Sequence, residues 1–269
     1  MQTIKTNIAN SCLRITLNRP DKRNALSRQM VAELQDVVEQ AGSDEAVRVI
    51  VLRGAGGHFC AGADLADMAA ARMEAGEDAG AIAAVNRGFG TLIAAVDTSP
   101  KTVIAAVEGN VLGGGVGLAC VADICLMTEQ AKVGLPETTL GLPPAQIIPF
   151  VVARVGLSEA RRLALTGARI DGQEALRLGL CHQLCADRSA LDLAVDETIT
   201  AVLRCAPQAS AMTKALLLAT RDTPTRDLLD RGAGKFAEAA LGNEAAEGTQ
   251  AFLQKRKPLW ATASLTPNP

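Results

Sequence analysis

The run Thr102-Val103-Ile104-Ala105-Ala106-Val107 decides the fold class together with the two stretches that follow it: Leu112-Gly113-Gly114-Gly115-Val116-Gly117-Leu118, then Asp123-Ile124-Cys125-Leu126-Met127-Thr128. The first stretch is apolar and rich in β-branched residues, which predicts a strand. The glycine cluster ends that strand. Val116 to Ala122 reads as a short buried helix, and Asp123 to Thr128 returns to strand. Strands alternating with helices in this way define an α/β fold.

Towards the N-terminus the same unit recurs without residue-for-residue repetition. Val47-Arg48-Val49-Ile50-Val51-Leu52 is a strand closed by Gly54-Ala55-Gly56-Gly57. Leu13-Arg14-Ile15-Thr16-Leu17 alternates as a half-buried strand does, and Asn18-Arg19-Pro20-Asp21 turns. Ser27 is placed to cap a helix carrying Met30, Val31, Leu34, Val37 and Val38 at helical spacing. The stretch Ala69 to Ala84, rich in Ala, Gly and charge, reads either as loop and helix beside a site or as a surface helix. From Leu191 the pattern is helical throughout. Leu191, Val195 and Ile199 share a face, Pro207 opens a helix through Leu218, and Arg226 to Ala240 and Glu244 to Gln254 make two more. These faces need a partner, either the core or another subunit.

The chain has 269 residues, of which 48% are hydrophobic and 21% charged, so it can bury a large core. Lys+Arg number 27 against 29 Asp+Glu, a net charge of -2 that excludes the broad basic field of a nucleic-acid binder. Aromatic content of 2%, with no Tyr, removes both base stacking and phenol chemistry. The seven Cys are scattered with no CxxC pair, and only His58 and His182 carry imidazoles. Buried thiols in a reducing cytoplasm, with no metal site, are the expectation. Met1-Gln2-Thr3-Ile4-Lys5 lacks an apolar signal segment, and charged residues interrupt the apolar stretches before ~18 residues, so no membrane span is expected.

Two glycine-rich loops each end a strand and open a helix: Phe59-Cys60-Ala61-Gly62-Ala63-Asp64-Leu65 and Leu112 to Leu118. A helix start leaves N–H groups unpaired at its positive dipole end. Two such loops facing one another would aim two N–H groups at one oxygen, forming an oxyanion hole without side chains. Taken singly, either cluster also fits a turn or close packing. Neither carries the residues of a phosphate-binding loop. A third element runs Gly134-Leu135-Pro136-Glu137-Thr138-Thr139-Leu140-Gly141-Leu142-Pro143-Pro144. Its lone carboxylate, Glu137, stands among apolar residues that would raise its pKa towards neutrality and suit it to proton transfer; the alternative is a capping or surface glutamate.

Together these elements resemble the crotonase family, the enoyl-CoA hydratase/isomerase superfamily. The resemblance runs through Asn18-Arg19-Pro20, Asn24-Ala25-Leu26, both glycine loops, Ala122-Asp123, Leu135-Pro136-Glu137 and Phe252-Leu253-Gln254-Lys255-Arg256-Lys257-Pro258. It implies a ββα spiral core over residues 1–190 and a C-terminal helical trimerisation region over 191–269, in a homotrimer or dimer of trimers. It further implies that the N–H groups of Ala63 and Gly114 bind the thioester oxygen of an acyl-CoA substrate and that Glu137 moves the proton. CoA would meet Asp64 and Leu65 by its adenine and Lys22 and Arg23 by its phosphates, with Ala61 also in contact with it and Phe252 and Lys255 closing a neighbouring subunit's site. No cofactor is implied beyond the CoA that the substrate carries.

One position departs from the family pattern. Typical hydratases of the family carry a second glutamate on the helix after the glycine loop, where this chain has Gly117. Three readings stay open: a hydratase working with Glu137 alone, a double-bond isomerase, or a non-catalytic thioester-binding relative. Leu142 to Val152, Gly115 to Cys120 and Gln254 to Trp260 are similar to isohexenylglutaconyl-CoA hydratases, with 3-methylglutaconyl-type hydratases as an alternative. Such substrates bear a distal carboxylate, for which Arg72, Arg87 and Arg154 are the candidate cations.

Overall fold

The computed structural model describes residues 1–262. It opens with a hairpin of β1 (Ile4–Ala9) and β2 (Cys12–Leu17). Leu13, Ile15 and Leu17 are buried, as the alternation predicted. Next comes α1 (Arg28–Ser43), whose first turn is capped by Ser27 Oγ accepting the Met30 N–H at 3.2 Å. Met30, Leu34, Val37 and Val38 are its buried stripe, while Val31 is half-buried at its edge.

After α1 come β3 (Val49–Gly54), α2 (Leu65–Ala75), α3 (Ala79–Thr98), β4 (Thr102–Val107), β5 (Asn110–Leu112) and α4 (Gly114–Val121). They are followed by β6 (Ile124–Thr128), β7 (Lys132–Gly134), α5 (Ile148–Thr166), β8 (Arg169–Ile170), α6 (Gly172–Arg177) and β9 (Gln183–Cys185). The rest is helical: α7 (Arg188–Leu203), α8 (Pro207–Ala219), α9 (Thr225–Ala240), α10 (Asn243–Leu253) and α11 (Leu259–Thr262).

Two sheets give the spiral its form. The larger has the order β1-β2-β3-β4-β6-β9, parallel apart from the β1–β2 hairpin; the smaller has the order β5-β7-β8. Each turn of the spiral sends its first strand to the large sheet, its second to the small one, and then makes a helix: β4, β5, α4, then β6, β7, α5. The ββα spiral expected from the sequence is the architecture found. Strands β3 and β4 are parallel neighbours, so their C-terminal ends, which lead to the first glycine loop and through β5 to the second, lie at the same end of the sheet.

The large sheet is covered on both faces. Leu17, Ile50, Leu52 and Val103 pack with Met30, Leu34, Leu92 and Ile93 in one cluster. Val49, Val51, Ile104 and Leu126 pack in a second cluster with Leu191, Val195, Ile199 and Leu203 of α7. Of the two partners the sequence allowed the α7 face, the core is the one it packs on. Residues 263–269 of the expected helical region lie outside the described residues.

By length and composition α3 is apolar enough to cross a membrane, with mean hydropathy 1.4 over 18 residues. In the fold it buries Leu92, Ile93 and Val96 in the core, and its buried Asp97 is paired with Arg221. Of the seven cysteines, six are buried and Cys205 is exposed, all as free thiols.

Candidate active site

The first glycine loop is fixed by backbone pairing on both sides. The Cys60 N–H donates to Asn110 O at 3.0 Å and the Leu112 N–H to Cys60 O at 2.9 Å, which lays the loop along β5. On its other side, the Leu26 N–H donates to Gly62 O at 2.8 Å and the Asp64 N–H to Leu26 O at 3.0 Å. In this parallel bridge Leu26 bonds to the residues flanking Ala63, so the Ala63 N–H points away from Leu26.

The second loop packs directly on the first. Gly62 stands at φ +90°, and a Cβ there would lie 3.0 Å from Leu112 O and 3.7 Å from Gly113 Cα. Gly113, at φ +50°, is the N-cap of α4, and only glycine takes that backbone without strain. A Cβ on Gly114 would fall 2.9 Å from Leu26 Cδ1, the same residue whose backbone pairs with Ala63. Leu26 therefore touches both loops, by its backbone at Ala63 and by its side chain at Gly114. Among the described residues neither N–H donates to a protein acceptor. Gly114 stays partly exposed between buried Gly113 and Gly115, and Ala63 is exposed. Two open donors, one of them at a helix N-terminus, thus stand on loops that pack against each other and against Leu26.

Glu137 reaches the same spot. A Cβ on Gly113 would lie 2.6 Å from Glu137 Oε1, so the carboxylate rests on the glycine turn itself. The Gly113 N–H donates to Gly134 O at 2.9 Å, which anchors the turn to the segment that leads into Glu137. Glu137 is half-buried, and its Oε2 is buried with no hydrogen-bond partner. Burial pushes the carboxyl pKa above its ordinary value, against a smaller pull from the residue's own backbone N–H. A carboxylate without a cation or a full set of donors is poised to exchange a proton rather than to hold a structure together.

Gly117 explains why no second carboxylate shares the site. A Cβ there would come 2.3 Å from Ile147 Cγ2 and 3.1 Å from Ile147 Cβ, with Ile93 Cδ1 at 3.4 Å. The branched end of Ile147 fills the space that a glutamate would need. Gly117→Ala should therefore destabilise the fold by about 1–3 kcal/mol through overpacking. Urea titration checks this, with trimming of Ile147 to Ala expected to absorb part of the loss.

The other residues singled out in the sequence divide into two groups. Ala61 donates its N–H to Arg23 O at 3.0 Å, and Asp64 is bonded to Leu26, so Lys22, Arg23, Ala61, Asp64 and Leu65 form one rim beside Ala63. On that rim the Asp64 carboxylate is already committed. It caps α2, accepting the N–H groups of Ala66 at 3.0 Å and Asp67 at 3.3 Å, and it pairs with Arg19 at 2.6 Å. Burial works to raise its pKa, but the Arg19 bond and the capping amides together hold it below the ordinary carboxylate value. Phe252 and Lys255 stand apart at the exposed end of α10, outside this rim.

Sequence reading missed several supports. Buried Asn24 accepts the Arg19 N–H at 3.0 Å and donates to Ala55 O at 2.9 Å and His58 O at 2.7 Å, pinning three loops. His58 Nδ1 accepts the Asn110 N–H at 3.1 Å and so positions the start of β5. Phe89 of α3 lies over Gly114, its Cζ 3.0 Å from where a Cβ would stand. Apart from the Arg19–Asn24 bond, which spans five residues, these contacts join segments far apart in the chain and so have no local signal.

Two open backbone donors on adjoining glycine turns, with a half-buried carboxylate resting on one of those turns, are what the site offers to a ligand. The profile of the enoyl-CoA hydratase/isomerase family matches residues 7–263, and the chain belongs to that family, with its crotonase fold. A solved structure of Pseudomonas aeruginosa AtuE superposes with a TM-score of 0.94 at 54% identity, covering 97% of this chain and 100% of that one. The 2,3-dehydroadipyl-CoA hydratase of Escherichia coli is 33% identical over 91% of this chain and 93% of its own length. The peroxisomal Delta(3,5)-Delta(2,4)-dienoyl-CoA isomerase of Arabidopsis thaliana is 32% identical over 97% of this chain and 96% of its own.

Proposed function

We propose that the chain is a hydro-lyase that adds water across the α,β double bond of a branched enoyl-CoA, with isohexenylglutaconyl-CoA of acyclic terpene breakdown as its substrate. The observation that carries this reading is Glu137 Oε2, buried and unpartnered, on the turn that presents the Gly114 amide. The thioester carbonyl accepts from the Ala63 and Gly114 N–H groups. Glu137 takes a proton from water as the water oxygen bonds to the β carbon. The double-bond electrons move onto the thioester oxygen, where the two amides hold the charge. The Glu137 carboxyl then returns the proton to the α carbon on the same face, and the carboxylate is restored. One carboxylate suffices because it acts first as base and then as acid.

CoA arrives with the substrate, and the reading calls for no metal or redox group. Lys22 and Arg23 stand at the rim for its phosphates, Asp64 and Leu65 border the adenine, and Ala61 contacts CoA beside them. Phe252 and Lys255 close the site of a neighbouring subunit in a cytoplasmic homotrimer or dimer of trimers. Supporting that assembly, the C-terminal helices expose Leu229, Phe236, Leu241 and Leu253, and an open apolar groove of about 660 Å³ lies between α9 and α10. The Escherichia coli relative is named for a 2,3-dehydroadipyl thioester, which supports a substrate whose acyl chain ends in a carboxylate.

Isomerisation is the second reading, and Ile147 at Gly117 favours it, because a proton shuttle along the chain needs no second carboxylate to clamp water. Turnover in ¹⁸O-labelled water separates the two. A hydratase places one solvent oxygen on the β carbon of the product, whereas an isomerase incorporates none. A product free of label would reverse the assignment.

A further inference from the structure

We propose that the chain carries a binding site for a small oxyanion, a phosphate or a carboxylate, between Arg154, His182 and Arg221, at the end of α4 remote from Gly114. The site shares no residue with the catalytic reading above and does not depend on it. One imidazole ring points to it. The Cys125 N–H donates to His182 Nδ1 at 2.9 Å, and the His182 N–H donates back to Cys125 O at 2.8 Å, which fixes the ring against β6. Across the ring, Arg154 Nη1 stands 3.3 Å from His182 Nε2. Both neighbours are pure donors, and a neutral imidazole has one acceptor nitrogen. The backbone amide cannot turn away, so Nδ1 takes it, and the ring proton sits on Nε2 facing a guanidinium N–H. Partial burial of the ring, and then the Arg154 charge, lower the His182 pKa, so the ring is neutral at pH 7. Two donors this close call for one acceptor oxygen that both can reach.

Arg154 cannot swing off to find another. Its Nε donates to Cys120 O at 3.1 Å, and its Nη2 to Cys120 O at 2.6 Å and to Ala122 O, which locks the guanidinium across the C-terminal end of α4. Helix α4 runs from Gly114 to Val121, a rise of ~10 Å. Arg154, one of the cations considered for a substrate carboxylate, therefore stands at the far end of α4 from the oxyanion loops. It borders a cavity of about 310 Å³ lined by Cys120, Phe150, Ala153, Arg154, Gly179 and Arg221. Two guanidiniums line this cavity and no carboxylate does. Asp97 binds Arg221, accepting from Nη1 and, at 3.0 Å, from Nη2, but each Nη keeps a second N–H. Planar guanidinium donors beside an imidazole N–H suit the several oxygens of one small anion.

The chain has two histidines, so ¹³Cε1-histidine labelling gives two ring signals, with His58 as the internal control. Inorganic phosphate and acetate are each titrated at an ionic strength held constant with chloride. With at least one of them the His182 signal should move saturably while His58 stays. Arg221→Lys keeps a cation against Asp97 but loses the fork, and should weaken that response ~10-fold. His182→Asn tests the ring itself, because the Asn Oδ1 can still accept the Cys125 N–H while the Nε2–H is gone. Thermal unfolding reads this variant: the probe that shifts His182 should raise the wild-type transition above that in chloride, and His182→Asn should lose the increment. A His182 signal that moves with neither probe, or only together with His58, would overturn the assignment and leave water as the acceptor. So would a response undiminished in either variant.

Discussion

Glu137→Gln should lower kcat for hydration by roughly 10²- to 10⁴-fold, the range for loss of a general acid–base group. Its effect on folding should run the other way. The folded chain raises the Glu137 pKa by burying the carboxyl, so the unfolded chain ionises first as pH rises. The resulting stability is fully present below the ordinary carboxylate value of about 4.3 and is lost as pH rises through the folded value. Glutamine cannot ionise, so the variant should unfold at a higher temperature than wild type at neutral pH and at a similar one in acid. A glutamate placed for structure would give the reverse pattern, with lower stability and little change in rate. The same pKa should appear as the acid limb of the wild-type rate profile, above the ordinary carboxylate range and absent from any residual rate in the variant.

Gly114→Pro should cost about 2.7–4 kcal/mol of transition-state stabilisation, or roughly 10²–10³ in kcat, by deleting one oxyanion donor. The position makes the substitution unusually clean. Gly114 is the first residue of α4, where a proline breaks no helical hydrogen bond. Added bulk would press on Leu26 Cδ1 and Phe89 Cζ, both ends of side chains that can shift. Gly114→Ala applies the same pressure at Cβ and keeps the N–H, so it isolates the donor. The expected order of kcat is wild type, then Ala, then Pro, with the proline step the largest. Equal losses in Ala and Pro would assign the effect to crowding.

The first half of the chain was readable because its signals are local. The alternation in β2, the Ser27 cap and the apolar run of β4 each depend on neighbours within a few residues. The short strands β5, β7 and β8 have no such pattern, since two or three residues cannot display a period. Strand β1 exposes nearly its whole length at the sheet edge, so it lacks the alternation of its partner. The helical face of Leu191, Val195 and Ile199 was visible, but sequence could not say that the sheet covers it.

The site followed the same division. Glycine loops and a lone acid in an apolar segment mark Gly62, Gly113, Gly114 and Glu137. The loops are held together by long-range contacts of Leu26, Asn24 and Phe89; Asn24 and Leu26 stand in the motif Asn24-Ala25-Leu26, but the sequence does not show what they touch. The missing second acid was legible as Gly117, but its cause was not. Ile147 lies 30 positions further on, and its side chain occupies the space. The Asp64 carboxylate, read as a border of the CoA site, is held as a cap and ion pair.

Infrared difference spectroscopy of a ¹³C-carbonyl-labelled enoyl-CoA bound to Glu137→Gln tests most directly whether the two amides converge on one thioester. Two donors polarise the carbonyl, so its stretch should fall well below the solution value, and adding Gly114→Pro should remove much of that fall. A bound thioester whose stretch stays at the solution value, in a protein that retains tight binding, would contradict the convergence of Ala63 and Gly114.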